Sequence, residues 1–254
     1  LDLDWVSVCL LQEQMGRRLA CVPFFDTAVL SATALKSLLP HPLAEHWLTQ
    51  IATEKAVASM ALSWQTGTAR IHSTGWHLDG TWPSVGSAQM AQVIVLPAQT
   101  PTGETLLFAL DTHSPGLQIT SLETLDTTRC LAQVQANGVN VSENQCLARG
   151  QAAEALLTRI KYLAAIGLAA EQVGVAQACL DMALAYVLER QQFGRPIASF
   201  QAIKHRCAQM SVEVESARSA VYGAACLADT QDDATGLFSG LPAIQLDTKI
   251  PKPQ

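Results

Sequence analysis

Apolar residues recur at helical spacing at both ends of the chain and at strand spacing in its middle. In the first region, residues 1–61, they follow intervals of three or four, which predicts amphipathic helices. The apolar positions of the first helix are Trp5, Val8, Leu11, Met15 and Leu19. Prolines interrupt the pattern after this helix, and a short second helix is predicted over 45–51.

In the second region, residues 62–145, the period of the apolar positions changes to two. This alternation predicts short strands over 93–96, 105–110 and 131–135. Asp79-Gly80 predicts a hairpin turn, because the pair lies between two short apolar runs. Many short strands separated by regular turns indicate a small barrel or sandwich.

Helical spacing returns in the third region, residues 146–254. One long helix is predicted, because no proline occurs between positions 151 and 193. Its predicted apolar face consists of Leu156, Ile160, Leu163, Gly167, Val175, Cys179, Met182 and Tyr186. A second helix over about 200–227 completes an antiparallel pair, and the tail from about 231 is expected to be poorly ordered. The fold class is therefore α+β, with helices and strands in separate regions.

Composition narrows the function classes. The chain of 254 residues has a net charge of -6, which argues against a nucleic-acid partner. Seven scattered cysteines predict buried, reduced thiols rather than disulfides or a metal site. The start lacks the pattern of a secretory signal, and charges within the long helix argue against a membrane span. A cytoplasmic location is therefore predicted.

The break between the two long helices, residues 190–197, carries the most polar chemistry. Gly194 and Pro196 end the helical pattern there. The polar side chains at the break are Arg190, Gln192, Arg195 and Gln201. Since helix ends leave backbone groups unpaired, this cluster suits a phosphate or another anion held between subunits or domains.

The same segment resembles the acyl-CoA dehydrogenase family. In that family the pattern Tyr-x-x-x-Arg-x-x-Phe-Gly-x-x-Ile, followed by Phe-Gln, joins two long helices. The matching residues are Tyr186, Arg190, Phe193, Gly194, Ile197, Phe200 and Gln201. Further similarities lie at 10–17, 75–82 and 125–129. The resemblance implies N-terminal helices, here truncated, then a middle antiparallel β-barrel, then a C-terminal antiparallel helical bundle.

The resemblance also implies FAD as the cofactor. It implies that Arg190 reaches the pyrophosphate of an FAD held mainly by the neighbouring subunit, with Gln192, Phe193 and Gln201 as further contacts. An exposed ion pair of Arg190 with Glu189 or Asp181 is the alternative. Trp82 and Ser84 partly match a segment that packs on the flavin ring, although Trp82 equally suits an aromatic anchor of the core. The stretch 61–67 does not match the family's flavin-binding sequence.

No catalytic base is evident. One branch of the family carries a glutamate on the first long helix, at a position that is Ala164 here and cannot remove a proton. Glu171 lies seven residues later on nearly the same face, and it is either a base or part of a structural pair. The main branch carries its base in a later loop, of which 243–247 is at best a trace.

An intact Arg190 motif beside a mismatched flavin stretch predicts one subunit of a heteromeric, flavin-dependent acyl-CoA dehydrogenase. A homologous subunit would supply the base and most of the FAD site. The resemblance further implies an acyl-CoA substrate, α,β-dehydrogenation and an electron-transfer flavoprotein. Two alternatives stay open. One is a homo-oligomeric enzyme that uses Glu171 as its base, and the other is a non-catalytic subunit that stabilises a partner or binds acyl-CoA.

Overall fold

The structure, a computed structural model, describes residues 3–63, 67–72 and 75–230. The predicted disordered tail, positions 243–247 and three residues of the 61–67 stretch lie outside this part. The first region contains α1 (Trp5–Arg18), a π-helix (Phe25–Ala32) that continues as α2 (Thr33–Lys36), and α3 (Pro42–Ala52). The short helices predicted for this region are thus confirmed.

Eight strands form one sheet: β1 (Ala58–Met60), β2 (Gly67–His72), β3 (Gly75–Gly86), β4 (Val93–Gln99), β5 (Thr105–Asp111), β6 (Leu117–Ser121), β7 (Leu131–Ser142) and β8 (Cys146–Arg149). Their order is β6-β7-β3-β2-β4-β5-β8, with β1 beside β4. The predicted closed antiparallel barrel is not confirmed. Among the described strands, β6 and β8 are unpaired edges, and β4 pairs in parallel with β1 and β2. Alternation of apolar residues indicates which face of a strand is buried, but it does not indicate which strands pair. The pattern therefore could not predict whether the sheet closes into a barrel.

The sheet separates two hydrophobic cores, and β4 contributes to both. Val93 and Val95 pack in the core shared with the helices. Ile94 and Leu96 pack in a second core with residues of β3 and β7. This explains the continuous apolar run in β4, since a strand that is buried on both faces needs apolar residues at successive positions.

The predicted hairpin turn at Asp79-Gly80 is wrong. Both residues lie inside β3, which is paired with β7 on either side of them. The register shifts between Leu78 and Gly80, and Asp79 Oδ1 accepts a hydrogen bond of 2.7 Å from the backbone N–H of Gly138. The Asp-Gly pair therefore forms a β-bulge rather than a chain reversal.

The C-terminal region consists of α4 (Gly150–Glu189), a short turn and α5 (Gln201–Thr230). The long helix and its antiparallel partner are confirmed. The predicted apolar face of α4 is correct as far as Gly167, but Cys179, Met182 and Tyr186 are exposed. These residues have the right spacing for a buried face but contact no core in the described part of the chain.

The predicted apolar face of α1 is correct only in part. Trp5 and Val8 pack against the helix–sheet core, but Leu11 and Leu19 are exposed, and the fully buried residues are Cys9, Gln12, Glu13 and Gly16. The reason is the close crossing of α1 over α4. A Cβ at Gly16 would overlap the backbone of Glu171, so only the face with this glycine can approach α4. Polar Glu13 tolerates burial because it is paired with Arg218 and Tyr222.

Two further predictions concern the environment of the chain. The thiols of Cys9 and Cys146 are buried as predicted, but those at 21, 130, 179 and 226 are exposed.

By length and mean hydropathy α4 is, among the described helices, a candidate membrane span, although 44% of its most apolar window is buried within the protein. The core helix of a globular protein passes the same test. The absence of a span and the cytoplasmic location remain predictions, as does the three-region division.

Candidate functional site

A cavity of about 330 Å³ opens between the π-helix, the sheet and α4. Its apolar lining includes Phe25, Leu30, Met60, Leu62, Leu131 and Leu168. Its polar lining includes Asp26, Ser84, Ser87 and Arg129. A mostly apolar pocket with a few convergent polar groups is the usual form of a small-molecule site.

Asp26 is the buried carboxyl of this cavity. It lies in the first turn of the π-helix, where its backbone carbonyl accepts a hydrogen bond of 2.7 Å from Ser31 Oγ. Ser87 Oγ donates a hydrogen bond of 2.6 Å to Asp26 Oδ2. Burial raises the pKa of Asp26, although the Ser87 hydrogen bond and the charge of Arg129 oppose this shift. The carboxyl rests directly against Gly86, where a Cβ would overlap it.

Arg129 joins the cavity to Glu171. Its Nη2 lies 2.5 Å from Glu171 Oε2, and its guanidinium lies over the Phe25 ring at 5.2 Å from the centroid. Glu171 does not line the main cavity but an adjoining crevice of about 20 Å³. The candidate base is therefore held in an ion pair, which supports its structural interpretation.

Trp82 and Ser84 lie on opposite sides of β3. The Trp82 side chain is buried in the sheet core, and its Nε1–H donates to the Pro97 carbonyl at 3.1 Å. Ser84 faces the cavity. Ala164 is buried in the core between helices and sheet. Of these three predicted site residues, only Ser84 reaches the cavity, and the surroundings of Trp82 support its role as a core anchor.

The turn after α4 forms a two-residue hairpin. Gln191–Gln192 (β9) pairs with Arg195–Pro196 (β10), and the two central residues, Phe193 and Gly194, have φ angles of 54° and 74°. Positive φ at both positions is the type I′ geometry, which favours glycine. Phe193 is 91% exposed and contacts the Phe200 ring edge to face. The Arg195 guanidinium lies over the same ring, 4.3 Å from its centroid.

Arg190 lies at the start of this hairpin with its side chain exposed. Its backbone carbonyl accepts a hydrogen bond of 2.8 Å from the Ile197 N–H. Its guanidinium makes no hydrogen bond or ion pair with the residues that the structure describes. Asp181, the alternative partner, is paired with Arg17 instead, at 2.5 Å. Gln192 and Gln201 are likewise exposed, so the hairpin presents several free polar groups.

The hairpin and the cavity are far apart within one chain. Leu168 lines the cavity, and Arg190 follows about 22 residues later at the end of the same helix. At 1.5 Å per residue this is a separation of about 33 Å along the helix axis. An arginine side chain is several-fold shorter than this, so Arg190 cannot serve the cavity of its own chain.

The comparisons with known proteins agree with the resemblance of the hairpin. Residues 155–241 match the family described as Acyl-CoA dehydrogenase, C-terminal domain. Acyl-CoA dehydrogenase IpdE2 of Mycolicibacterium smegmatis is 32% identical over 223 residues, covering 84% of this chain and 63% of that protein. The chain belongs to the acyl-CoA dehydrogenase family.

Two further matches are with mycobacterial proteins, one of which comes from a complex of two named proteins. Acyl-CoA dehydrogenase FadE27 of Mycobacterium tuberculosis is 29% identical over 215 residues, covering 83% of this chain and 56% of that protein. A subunit of the ChsE4-ChsE5 complex from Mycobacterium tuberculosis superposes with a TM-score of 0.79 and 26% identity, over 91% of this chain and 64% of that one. The chain thus spans somewhat less than two thirds of the length of these relatives.

Sequence reasoning missed Asp26 and Ser87. One signal was present, since Asp26 is a single carboxylate inside an apolar stretch that runs from position 22 to 30. A charged residue in such a run is rarely buried without a partner or a role. Ser87 gave no comparable signal, because its position depends on where β3 ends against the π-helix. Arg129 belongs to a matched motif but had no predicted role.

Proposed function

We propose that this chain is a subunit of a FAD-dependent acyl-CoA dehydrogenase and that its 190–197 hairpin completes the FAD site of a homologous partner subunit. The observation that carries the proposal is the exposed, unpaired guanidinium of Arg190, about 33 Å from the cavity of its own chain. An exposed cation of this kind is placed to bind an anion that another subunit holds.

The chemistry of the hairpin fits a pyrophosphate. Arginine presents a planar fork of donors that matches phosphate oxygens and stays charged at every physiological pH. Arg195 is engaged with Phe200, which leaves Arg190 as the available cation of the hairpin proper. Exposed amides follow at Gln192 in the hairpin and at Gln201, the first residue of α5. In a chain with a net charge of -6, such local cations must attract the anion.

The assembled enzyme would introduce a double bond between the α and β carbons of an acyl-CoA. A carboxylate base would remove the α-proton, and FAD, when bound, would supply the acceptor for the β-hydrogen as a hydride. We assign the base to the partner subunit, because Ala164 is apolar and Glu171 is ion-paired with Arg129. An electron-transfer flavoprotein would reoxidise the flavin, in the cytoplasm.

A homologous partner is supported by two observations. The exposed apolar side chains of Met182 and Tyr186, four residues apart on one face of the last turns of α4, form a surface suited to another helical subunit. The solved relative ChsE4-ChsE5 is itself a complex of two different proteins.

The decisive experiment is Arg190→Ala in the complex that co-purifies with this chain. Loss of a charge-assisted contact of about 1.5–3 kcal/mol weakens FAD binding about 10- to 100-fold, measured as flavin absorbance per complex after dialysis. Arg70→Ala, an exposed arginine on β2, is the matched control and should retain FAD. Full retention of FAD by Arg190→Ala would contradict the proposal and favour the non-catalytic subunit.

The homo-oligomeric alternative predicts a different result. If Glu171 were the base, Glu171→Gln would abolish turnover while FAD stays bound. We expect turnover to persist within a few-fold, because the substitution only weakens a contact with Arg129. Stoichiometric FAD and full turnover in the purified chain alone would also refute the shared site.

A further inference from the structure

A buried side-chain amide of α1 faces α4 with an unsatisfied donor. Gln12 is only 1% exposed, and its Nε2 has no hydrogen-bond partner among the described residues. The Nε2 atom lies 3.8 Å from the position that a Cβ at Gly167 of α4 would occupy. Leaving a buried N–H unpaired costs the full desolvation free energy of that group, so a bound acceptor at this point would stabilise the chain.

This amide lines the crevice of about 20 Å³ that lies beside the main cavity. α1, the loop before β7 and α4 enclose the crevice, and Arg129 and Glu171 supply its charged lining. A site needs roughly 10–15 Å³ to hold one water molecule, and a buried water makes two to four hydrogen bonds. The crevice therefore has room for one molecule of that size and is too small for a nucleotide or an acyl chain.

The groups around the crevice are held in place. Gly16 of α1 lies directly against the backbone of Glu171, and the contact between Gln12 and Gly167 lies one turn earlier on both helices. Side chains of a helix lean towards its N-terminus, so the Glu171 side chain leans towards the turn where the amide lies. Arg129 Nη2 fixes one carboxylate oxygen of Glu171 at 2.5 Å. The donor and the acceptor thus approach one crevice from two helices in van der Waals contact.

The two groups together define the chemistry of the ligand. Gln12 Nε2 requires an acceptor, whereas the Glu171 carboxylate, which accepts about four hydrogen bonds, has positions left for a donor. An ammonium ion only donates, and a small anion only accepts and is repelled by Glu171. Water does both at once.

We propose that this crevice binds one water molecule, which accepts a hydrogen bond from Gln12 Nε2 and donates one to Glu171. The water joins α1 to the Arg129–Glu171 ion pair and so makes Gln12 a part of the network that holds Glu171. This role concerns the architecture of the chain itself, and it holds whether or not the hairpin completes the FAD site of a partner.

The first test is the sign of the stability change in Gln12→Met, measured on the full chain by urea denaturation. Methionine has nearly the same shape but cannot donate to the water, so the equilibrium constant for unfolding should rise about tenfold, or about 1.4 kcal/mol. With an unsatisfied amide in a dry crevice, the same substitution would remove a cost and lower that constant. Gln14→Met, at an exposed position of the same helix, is the control and should change the constant by no more than about twofold.

The second test is a high-resolution crystal structure of the co-purified complex, which needs no variant. One peak of electron density should lie within about 3.2 Å of both Gln12 Nε2 and a carboxylate oxygen of Glu171. The same peak should be missing in crystals of Gln12→Met. The inference is overturned by a crevice without this peak in the wild type, by an unchanged or lower unfolding constant in Gln12→Met, or by a peak that persists in that variant.

Discussion

The long first part of α4, as far as Leu180, and the last turns differ sharply although they belong to one helix. One side of the first part is buried against the sheet and α1, with Leu156, Ile160 and Leu163 in the helix–sheet core. The last turns carry side chains that are just as apolar, yet Met182 is 65% exposed and Tyr186 is 60% exposed. Apolar spacing alone therefore does not distinguish a helix face that is buried within the chain from one that is exposed.

The two parts also differ in how they approach their neighbours. Near the middle of α4, Gly174 meets Glu13 of α1, and Gly16 of α1 meets Glu171, so the two backbones touch. The last turns, from Met182 onward, carry large exposed side chains and make no such backbone contact within the described part of the chain. We infer that the α1–α4 crossing stabilises this chain, and we propose that the last turns of α4 serve assembly.

The largest expected effect is that of Gly174→Ala. The new Cβ would overlap the Glu13 carbonyl and lie 2.8 Å from the Arg17 nitrogen, both rigid backbone groups. We expect the free energy of unfolding to fall by about 3 kcal/mol, the upper range for overpacking, measured by urea denaturation. Gly223→Ala on α5 is the control, because apart from its own helix nothing described lies within 4 Å. It should stabilise by up to about 1 kcal/mol through helix propensity, and equal losses in both variants would refute the close crossing.

Glu13→Ala should have the next largest effect. Glu13 is buried and accepts hydrogen bonds from Arg218 Nε at 3.0 Å and from Tyr222 Oη at 2.9 Å. Its removal leaves two donors unsatisfied, which costs about 2 kcal/mol of unfolding free energy. Glu215→Ala removes an exposed partner of the same arginine and should cost at most about 0.5 kcal/mol. A loss of similar size for Glu215→Ala would place the stabilising network outside the α1–α4–α5 junction.

The sequence predicted where the helices begin and end better than which of their faces are buried. The length of α4, the start of α5 and the break at Gly194 and Pro196 follow from local rules on proline, glycine and spacing. The buried face of α1 does not, because Glu13 is buried only by virtue of Arg218, 205 residues away. The bulge at Asp79-Gly80 likewise depends on a partner strand.

The cavity shows the same limit. Ser84 follows from a motif, and Arg190 follows from a conspicuous spacing that the structure then places on an exposed hairpin. Asp26 and Ser87 come together only when the π-helix packs on the end of β3. Such a pair has no spacing rule, since it joins positions 61 residues apart through the tertiary fold.

A smaller effect should appear in the pH dependence of Asp26→Asn. The pKa of Asp26 is raised above its ordinary value of 3.8, chiefly by burial. Its contribution to stability is therefore present below that value and lost as the pH rises through the folded-state pKa. The wild type should lose stability relative to Asp26→Asn as the pH increases from about 4, followed by thermal unfolding.

Asp126→Asn should behave in the opposite way. Hydrogen bonds from Thr128 lower the pKa of Asp126, so its contribution is present above the ordinary value and lost as the pH falls. As the pH falls, the wild type should therefore gain stability relative to Asp26→Asn and lose stability relative to Asp126→Asn. If Asp26→Asn instead lost stability toward neutral pH, the carboxyl would be ionised in the folded chain, and the cavity would carry a negative charge.

The smallest effect on the chain itself is expected for the double variant Met182→Ser and Tyr186→Ser. The two residues are four apart and lie on one exposed face, so their removal should change the unfolding free energy by no more than about 0.5 kcal/mol. Association with the co-purified partner, measured by sedimentation, should weaken at least tenfold, because the partner loses the apolar surface that it would bury. Ile71→Ser, at an 81% exposed position of β2, controls for the loss of surface hydrophobicity and should leave association unchanged. Should the double variant instead unfold as readily as Gly174→Ala, the last turns of α4 would be packed within their own chain, and their proposed role in assembly would fail.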